Sequence, residues 1–148
     1  MLDLLFVTAQ APTAQVVIRT CEAAGLTCLV ASDFEQLLSV IEEQEIKIIF
    51  IDIEDEGLKG LQLLEWVQTK FLFATIGIVA RKGYSASYLQ ALRLGVTERL
   101  SYAQASRDEF LLPYLSQLVA RIDLFRSLTL YETPTSAGPP LGWVGGTP

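Results

Sequence analysis

The sequence predicts an α/β doubly wound fold: a five-stranded parallel sheet with helices on both faces and an extended C-terminal helix. Three observations carry this. Short apolar runs alternate with stretches of helical spacing, five times over. The run "IKIIFID" (46–52) is apolar almost throughout and rich in β-branched residues, as a central parallel strand covered on both faces requires. Hydrophobic residues make up 51% of 148 residues, enough for one domain with a real core.

The elements follow in order. "LDLLFVT" (2–8) is the first strand. "PTAQVVIRTCEAAG" (12–25) is a helix, with Pro12 suited to its first turn and Gly25 to its stop. "LTCLVAS" (26–32) is a strand, and Ser32 with Glu35 reads as a capping box opening a helix to about Glu43. After the 46–52 strand comes a helix over 58–70, a strand over 74–80, and a helix over 85–95 from a Ser cap to a Gly stop. A more polar fifth strand, "VTERLSY" (96–102), suits a sheet edge. Parallel strands need crossover helices, and right-handed crossovers bring every strand C-terminus to one edge, where ligands and chemistry collect. Those ends are Thr8–Ala9–Gln10, Ser32–Asp33, Asp52, Ala80–Arg81 and Ser101–Tyr102.

The last helix begins at Ser106 or Leu111 and runs to about Tyr131. Pro113 suggests a start near Leu112, or a separate turn capped by Ser106 and Glu109 before it. Leu111, Leu115, Leu118, Ile122 and Phe125 recur at 4-3-4-3 spacing, a coiled-coil-like seam. The first part suits packing on the sheet; the rest overhangs and predicts pairing with another chain or domain. Residues 133–148 carry no charge, four Pro and four Gly, and read as a linker. The expected organisation is a domain over 1–125 and an extension with linker over 126–148.

Composition excludes several functions. A net charge of −6 with scattered Lys and Arg argues against a nucleic-acid-binding face. No apolar run reaches membrane-span length, and the N-terminus lacks a signal-peptide charge pattern. Cys21 and Cys28, the two cysteines, read as free thiols of a cytoplasmic protein. The absence of histidine removes His-based triads, metal sites and switches.

Residues 46–64 carry a family resemblance. Asp52 ends the third strand; Gly57 lies five residues on, Gly60 and Leu61 eight and nine. This resembles the receiver domains of bacterial two-component response regulators. The distance from "LLFVTAQ" to Gly25 and the "ALRLGV" before the fifth strand are similar too. The resemblance covers about residues 1 to 125 and implies a flavodoxin-like receiver fold with Asp52 at the phosphoacceptor position.

The resemblance also shows what is missing. The family's acidic pair, which holds Mg²⁺, falls on Thr8 and Ala9. Its hydroxyl residue after the fourth strand falls on Ala80, its lysine on Tyr102, the proline after it on Ala103, and its aromatic switch on Arg99. Phosphoryl transfer is catalysed mainly by positioning and charge neutralisation. Asp52 is therefore expected to be a poor acceptor, a strand-end carboxylate hydrogen-bonded or paired with Arg81 or Lys82. Glu54, Asp55 and Glu56 read as a solvated loop.

Three functions compete. The first is a pseudo-receiver: a non-enzymatic regulatory and dimerisation domain that controls an output module and needs no cofactor. Its homodimer would use Leu118, Ile122 and Phe125, with Tyr88, Leu92 and Arg99 adding the face many receiver dimers use. The second is a phosphoacceptor with a rebuilt site, Glu54 serving as metal ligand and Arg81 or Lys82 holding the phosphate. The third is a small-ligand module of flavodoxin-like type; no Gly-rich phosphate loop follows the first strand to support it. The terminal "LGWVGGTP" resembles the entry to the ATPase module of sigma-54-dependent transcription activators, which implies an output domain acting on transcription.

Overall fold

A computed structural model of the chain describes residues 1–55, 57, 59–71, 74–81, 83 and 85–132, with side chains through Leu128. The described residues form five strands: β1 (Leu2–Val7), β2 (Cys28–Ala31), β3 (Ile46–Asp52), β4 (Thr75–Ala80) and β5 (Glu98–Ser101). All pair in parallel, in the order β2-β1-β3-β4-β5. Among the described residues six helices accompany them: α1 (Ala11–Ala24), α2 (Phe34–Ile41), α3 (Gly60–Lys70), α4 (Ala86–Arg93), α5 (Tyr102–Ala105) and α6 (Asp108–Glu132). The doubly wound fold is as the sequence predicts.

β3 lies at the centre, between β1 and β4. Its side chains alternate between two buried faces, which is why its sequence is apolar at almost every position. Ile49 and Ile51 join one core cluster with Leu37 of α2, Leu63, Leu64 and Val67 of α3, and Ala91 of α4. On the opposite face Phe50 stacks on Phe6 of β1 and meets Tyr114 of α6 edge-on. Gly25 stops α1 in the left-handed conformation (φ 72°), where a Cβ would be strained.

Three local expectations are corrected. The N-cap of α2 is Asp33, not Ser32: its carboxylate accepts from the Gln36 amide at 2.8 Å, while the Gln36 side chain accepts from the Ser32 amide and hydroxyl. Asp and Ser are comparable caps, so tertiary placement chose between neighbours. The fifth strand ends at Ser101, because Ser101 and Gln104 form a reciprocal capping box that turns the chain into α5. Tyr102 is thus the first residue of a helix, not the last of a strand. α6 begins at Asp108 and continues through Pro113. Asp108 and Glu109 in its first turn complement the exposed N–H groups there.

The described residues divide into two compact units, one ending at Ser116 and the other starting at Gln117. In the second, Leu118 is buried (3% exposed), whereas Leu124, Phe125 and Leu128 are 62%, 70% and 52% exposed. Ile122 is half-buried. Leu118 is therefore a core side chain rather than a docking residue, and the exposed apolar set starts at Leu124. The tail over 133–148 lies outside the described residues. Among the described residues, no helix is long and apolar enough to cross a membrane.

Candidate functional site

Asp52 closes β3 at the C-terminal edge of the sheet and is fully buried. Its Oδ2 accepts from the Thr8 hydroxyl at 3.2 Å. Its Oδ1 accepts from the Tyr102 hydroxyl and from the Glu54 amide, the latter at 3.2 Å. Thr8 follows β1, Tyr102 follows β5, and Glu54 lies just past β3. The three strand ends on which the family resemblance placed acid, phosphoacceptor and lysine do converge, with different chemistry. Burial raises the Asp52 carboxyl above the usual carboxylate range; the bonds from Tyr102, Glu54 and Thr8 pull it back only in part. Burial, and then the bond to Asp52, hold the Tyr102 phenol above its usual range. Among the described residues, the hydrogen-bond partners of Asp52 include no cation. Arg81 contributes its backbone amide to a neighbouring carboxylate, donating to Glu54 Oε2 at 3.1 Å. Lys82 lies outside the described residues.

Glu54 is not a solvated side chain. Its carboxylate accepts from the Arg81 amide and, at 2.7 Å, from the Ser85 hydroxyl. Ser85 is also the N-cap of α4, accepting from the Tyr88 amide at 3.0 Å. Arg99, in β5, sends its guanidinium to the carbonyls of Arg81 and Gly83, the latter at 3.1 Å, and lies 4.2 Å over the Tyr88 ring. Of these contacts only the Ser85 cap was legible in the sequence; the acidic run "EDE" gave no sign that Glu54 differs from its neighbours. Leu92 is exposed on α4, Ala80 is buried at the end of β4, and Ala9 is exposed beside Thr8.

Gly60 opens α3 directly beneath the site. A Cβ there would lie 2.5 Å from the Asp52 carbonyl oxygen and 2.5 Å from the Ile53 Cα. Only glycine lets α3 approach the end of β3 this closely. Gly57 has no such demand; its Cβ would meet just the Asp55 carboxylate at 3.2 Å.

The residues present do not fit Mg²⁺. This ion requires several oxygen ligands in near-octahedral geometry. The Thr8 hydroxyl already donates to Asp52 and accepts from the Gln10 amide at 3.0 Å. Ala9 offers no ligand, Tyr102 occupies Asp52 Oδ1, and Glu54 is engaged by the loop after β4.

A scan against protein-family models finds no match, and no curated protein matches the sequence. Solved structures do match. A CheY-like response regulator receiver domain protein from Methanospirillum hungatei JF-1 superposes with a TM-score of 0.70 at 16% identity, over 84% of this chain and 99% of that one. NtrX from Brucella abortus gives 0.73 at 19% identity, over 96% of this chain and 32% of that one. A Burkholderia pseudomallei response regulator, solved with a phosphorylated aspartic acid, calcium ion and citrate, gives 0.65 at 18%, over 93% and 78%. The fold is that of the CheY-like receiver domains.

Proposed function

We propose that the chain is a pseudo-receiver: a non-enzymatic, cytoplasmic regulatory domain in signal transduction that is not phosphorylated by the usual Mg²⁺-dependent route. The observation that carries this reading is the closure of Asp52. Its oxygens face two hydroxyls and an amide, and the side chain is fully buried. Attack by Asp52 on a phosphodonor would require breaking the Tyr102 bond and admitting solvent. No lysine or metal-binding carboxylate stands at the matched positions to neutralise the transferred phosphoryl group.

The domain's output is a module joined to it, acting on transcription in the manner of sigma-54 activators. The alignment of this chain with 32% of NtrX supports a receiver-like unit within a longer protein. The terminal "LGWVGGTP" agrees with that arrangement. The second unit supports self-association: Leu124, Phe125 and Leu128 sit at i, i+1 and i+4, so one helix presents three exposed apolar side chains together. We assign this face to a second copy of the chain.

Acetyl phosphate with Mg²⁺ tests the reading. The intact mass should stay unchanged, and an Mg²⁺ titration followed by Trp66 fluorescence should be flat below about 10 mM, given the missing oxygen ligands. A phosphoryl adduct on Asp52 would support the rebuilt phosphoacceptor instead.

A further inference from the structure

Between β4 and α4, residues Arg81, Gly83 and Ser85 are gripped from two sides. On one side stands Glu54, accepting from the Arg81 amide and the Ser85 hydroxyl. On the other stands Arg99, donating through Nη2 to the Arg81 and Gly83 carbonyls. Residue 81 is therefore held by its N–H from one flank and by its C=O from the other. The Ser85 hydroxyl gives its proton to Glu54, which leaves a lone pair free to cap the Tyr88 amide. Tyr88 in turn is the ring beneath the Arg99 guanidinium. The Arg99 Nε is buried and has no hydrogen-bond partner among the described residues. The guanidinium is thus held by the loop carbonyls and the ring, although this leaves one of its donors unsatisfied.

We infer that Arg99 is a positioning residue that sets where Arg81, Gly83, Ser85 and Tyr88 lie, clamping them against Glu54 so that their positions are fixed by β5 and by the residue just past β3. Position 99 pairs with Ile78 in β4, two residues before that strand ends. From there a long side chain can reach past Ala80 to the loop carbonyls. The planar fork suits two carbonyls and an aromatic face at once; a lysine ammonium would serve one carbonyl and stack poorly. The inference goes beyond the pseudo-receiver reading and does not require it, since none of these contacts involves Asp52.

Amide hydrogen exchange on the intact chain tests it, with Arg99→Ala, Arg99→Lys and Glu54→Ala compared with wild type. The Arg81, Tyr88 and Leu89 amides report directly, being bonded to Glu54, Ser85 Oγ and the Ser85 carbonyl. Arg99→Ala should speed exchange at these amides about tenfold or more, with α1 amides unchanged, as for a local opening. Arg99→Lys should resemble Arg99→Ala, and it keeps the charge should the alanine variant fail to fold. Glu54→Ala should release Arg81 most. Wild-type exchange in both Arg99 variants would overturn the inference. So would full protection in Arg99→Lys, or an equal acceleration in α1. The phosphorylation assay is separate, so failure of either idea leaves the other readable.

Discussion

Asp52 is a buried carboxylate whose described partners are uncharged. Its folded-state carboxyl is raised by burial above its value in the unfolded chain, so the native state binds the proton more tightly. The stabilisation this gives is complete below the unfolded value, near pH 4, and is lost as pH rises through the folded one. At neutral pH the charge is a net cost. Asp52→Asn should therefore be at least as stable as wild type at pH 7, with the advantage fading as pH falls towards about 4. Urea unfolding at several pH values reads this; a large loss at pH 7 would contradict it. Tyr102→Phe should cost about 1.5–3 kcal/mol, the usual range for a hydrogen bond to a charged group, because Oδ1 keeps only the Glu54 amide. If the urea midpoint of Tyr102→Phe equals that of wild type, the bond contributes nothing.

Single positions also decide how elements meet. The two glycines of the 57–60 stretch look equivalent in the sequence, and the fold separates them. Gly60→Ala would drive a methyl into backbone atoms of Asp52 and Ile53, which cannot move without shifting β3. The cost should reach the upper end of ~1–3 kcal/mol for overpacking, or exceed it. Gly57→Ala should stay within about 0.5 kcal/mol, as for an ordinary surface change. Equal thermal shifts for the two variants would sink this account. At the other edge of the sheet, Asp3 in β1 accepts from the Thr27 amide at 2.9 Å and pairs with Lys47 of β3 at 3.0 Å. Burial alone would raise its carboxyl, but the Thr27 and Lys47 contacts together lower it below the usual range. The sign is opposite to that of Asp52. Stability from Asp3 is present above its unfolded value and lost as pH falls through the folded one. Asp3→Asn should destabilise at pH 7, and the deficit should shrink below about pH 4. A deficit that stays constant with pH would mean that charge plays no part.

For the whole molecule the open question is assembly. Burying a large apolar side chain is worth ~1.5–3 kcal/mol. Leu124, Phe125 and Leu128, shared between two helices, can therefore sustain a homodimer in about the micromolar range after association costs. Sedimentation equilibrium should show a dimer at tens of micromolar (roughly ten times that constant). Replacing Phe125 and Leu128 with Ser should give a folded monomer. A wild type that is monomeric at that concentration would remove the proposed interface. Leu118→Ala should instead lower stability by about 2–5 kcal/mol, as a buried leucine does.

The sequence by itself determined the architecture. Short apolar runs alternating with stretches of period 3.6, with β3 apolar on both sides, admit little besides a doubly wound sheet, because hydrophobic patterning is local and survives without knowledge of partners. Through the family resemblance it also implied what the strand-end edge lacks, since the family's site positions fall on Thr8, Ala9, Ala80 and Tyr102. Tertiary structure alone decided what those residues do. Tyr102 reaches Asp52 across fifty positions of sequence, Glu54 reaches Ser85 across thirty-one, and Arg99 reaches back eighteen to Arg81. Such bonds depend on where β3, β4 and β5 end relative to one another in space, and no spacing within one element encodes that. The seam of α6 divides for the same reason. That the first part of the helix packs and the rest overhangs was legible from its length, but the 4-3-4-3 pattern does not say at which turn burial stops, and only the folded chain shows Leu118 buried and Phe125 exposed.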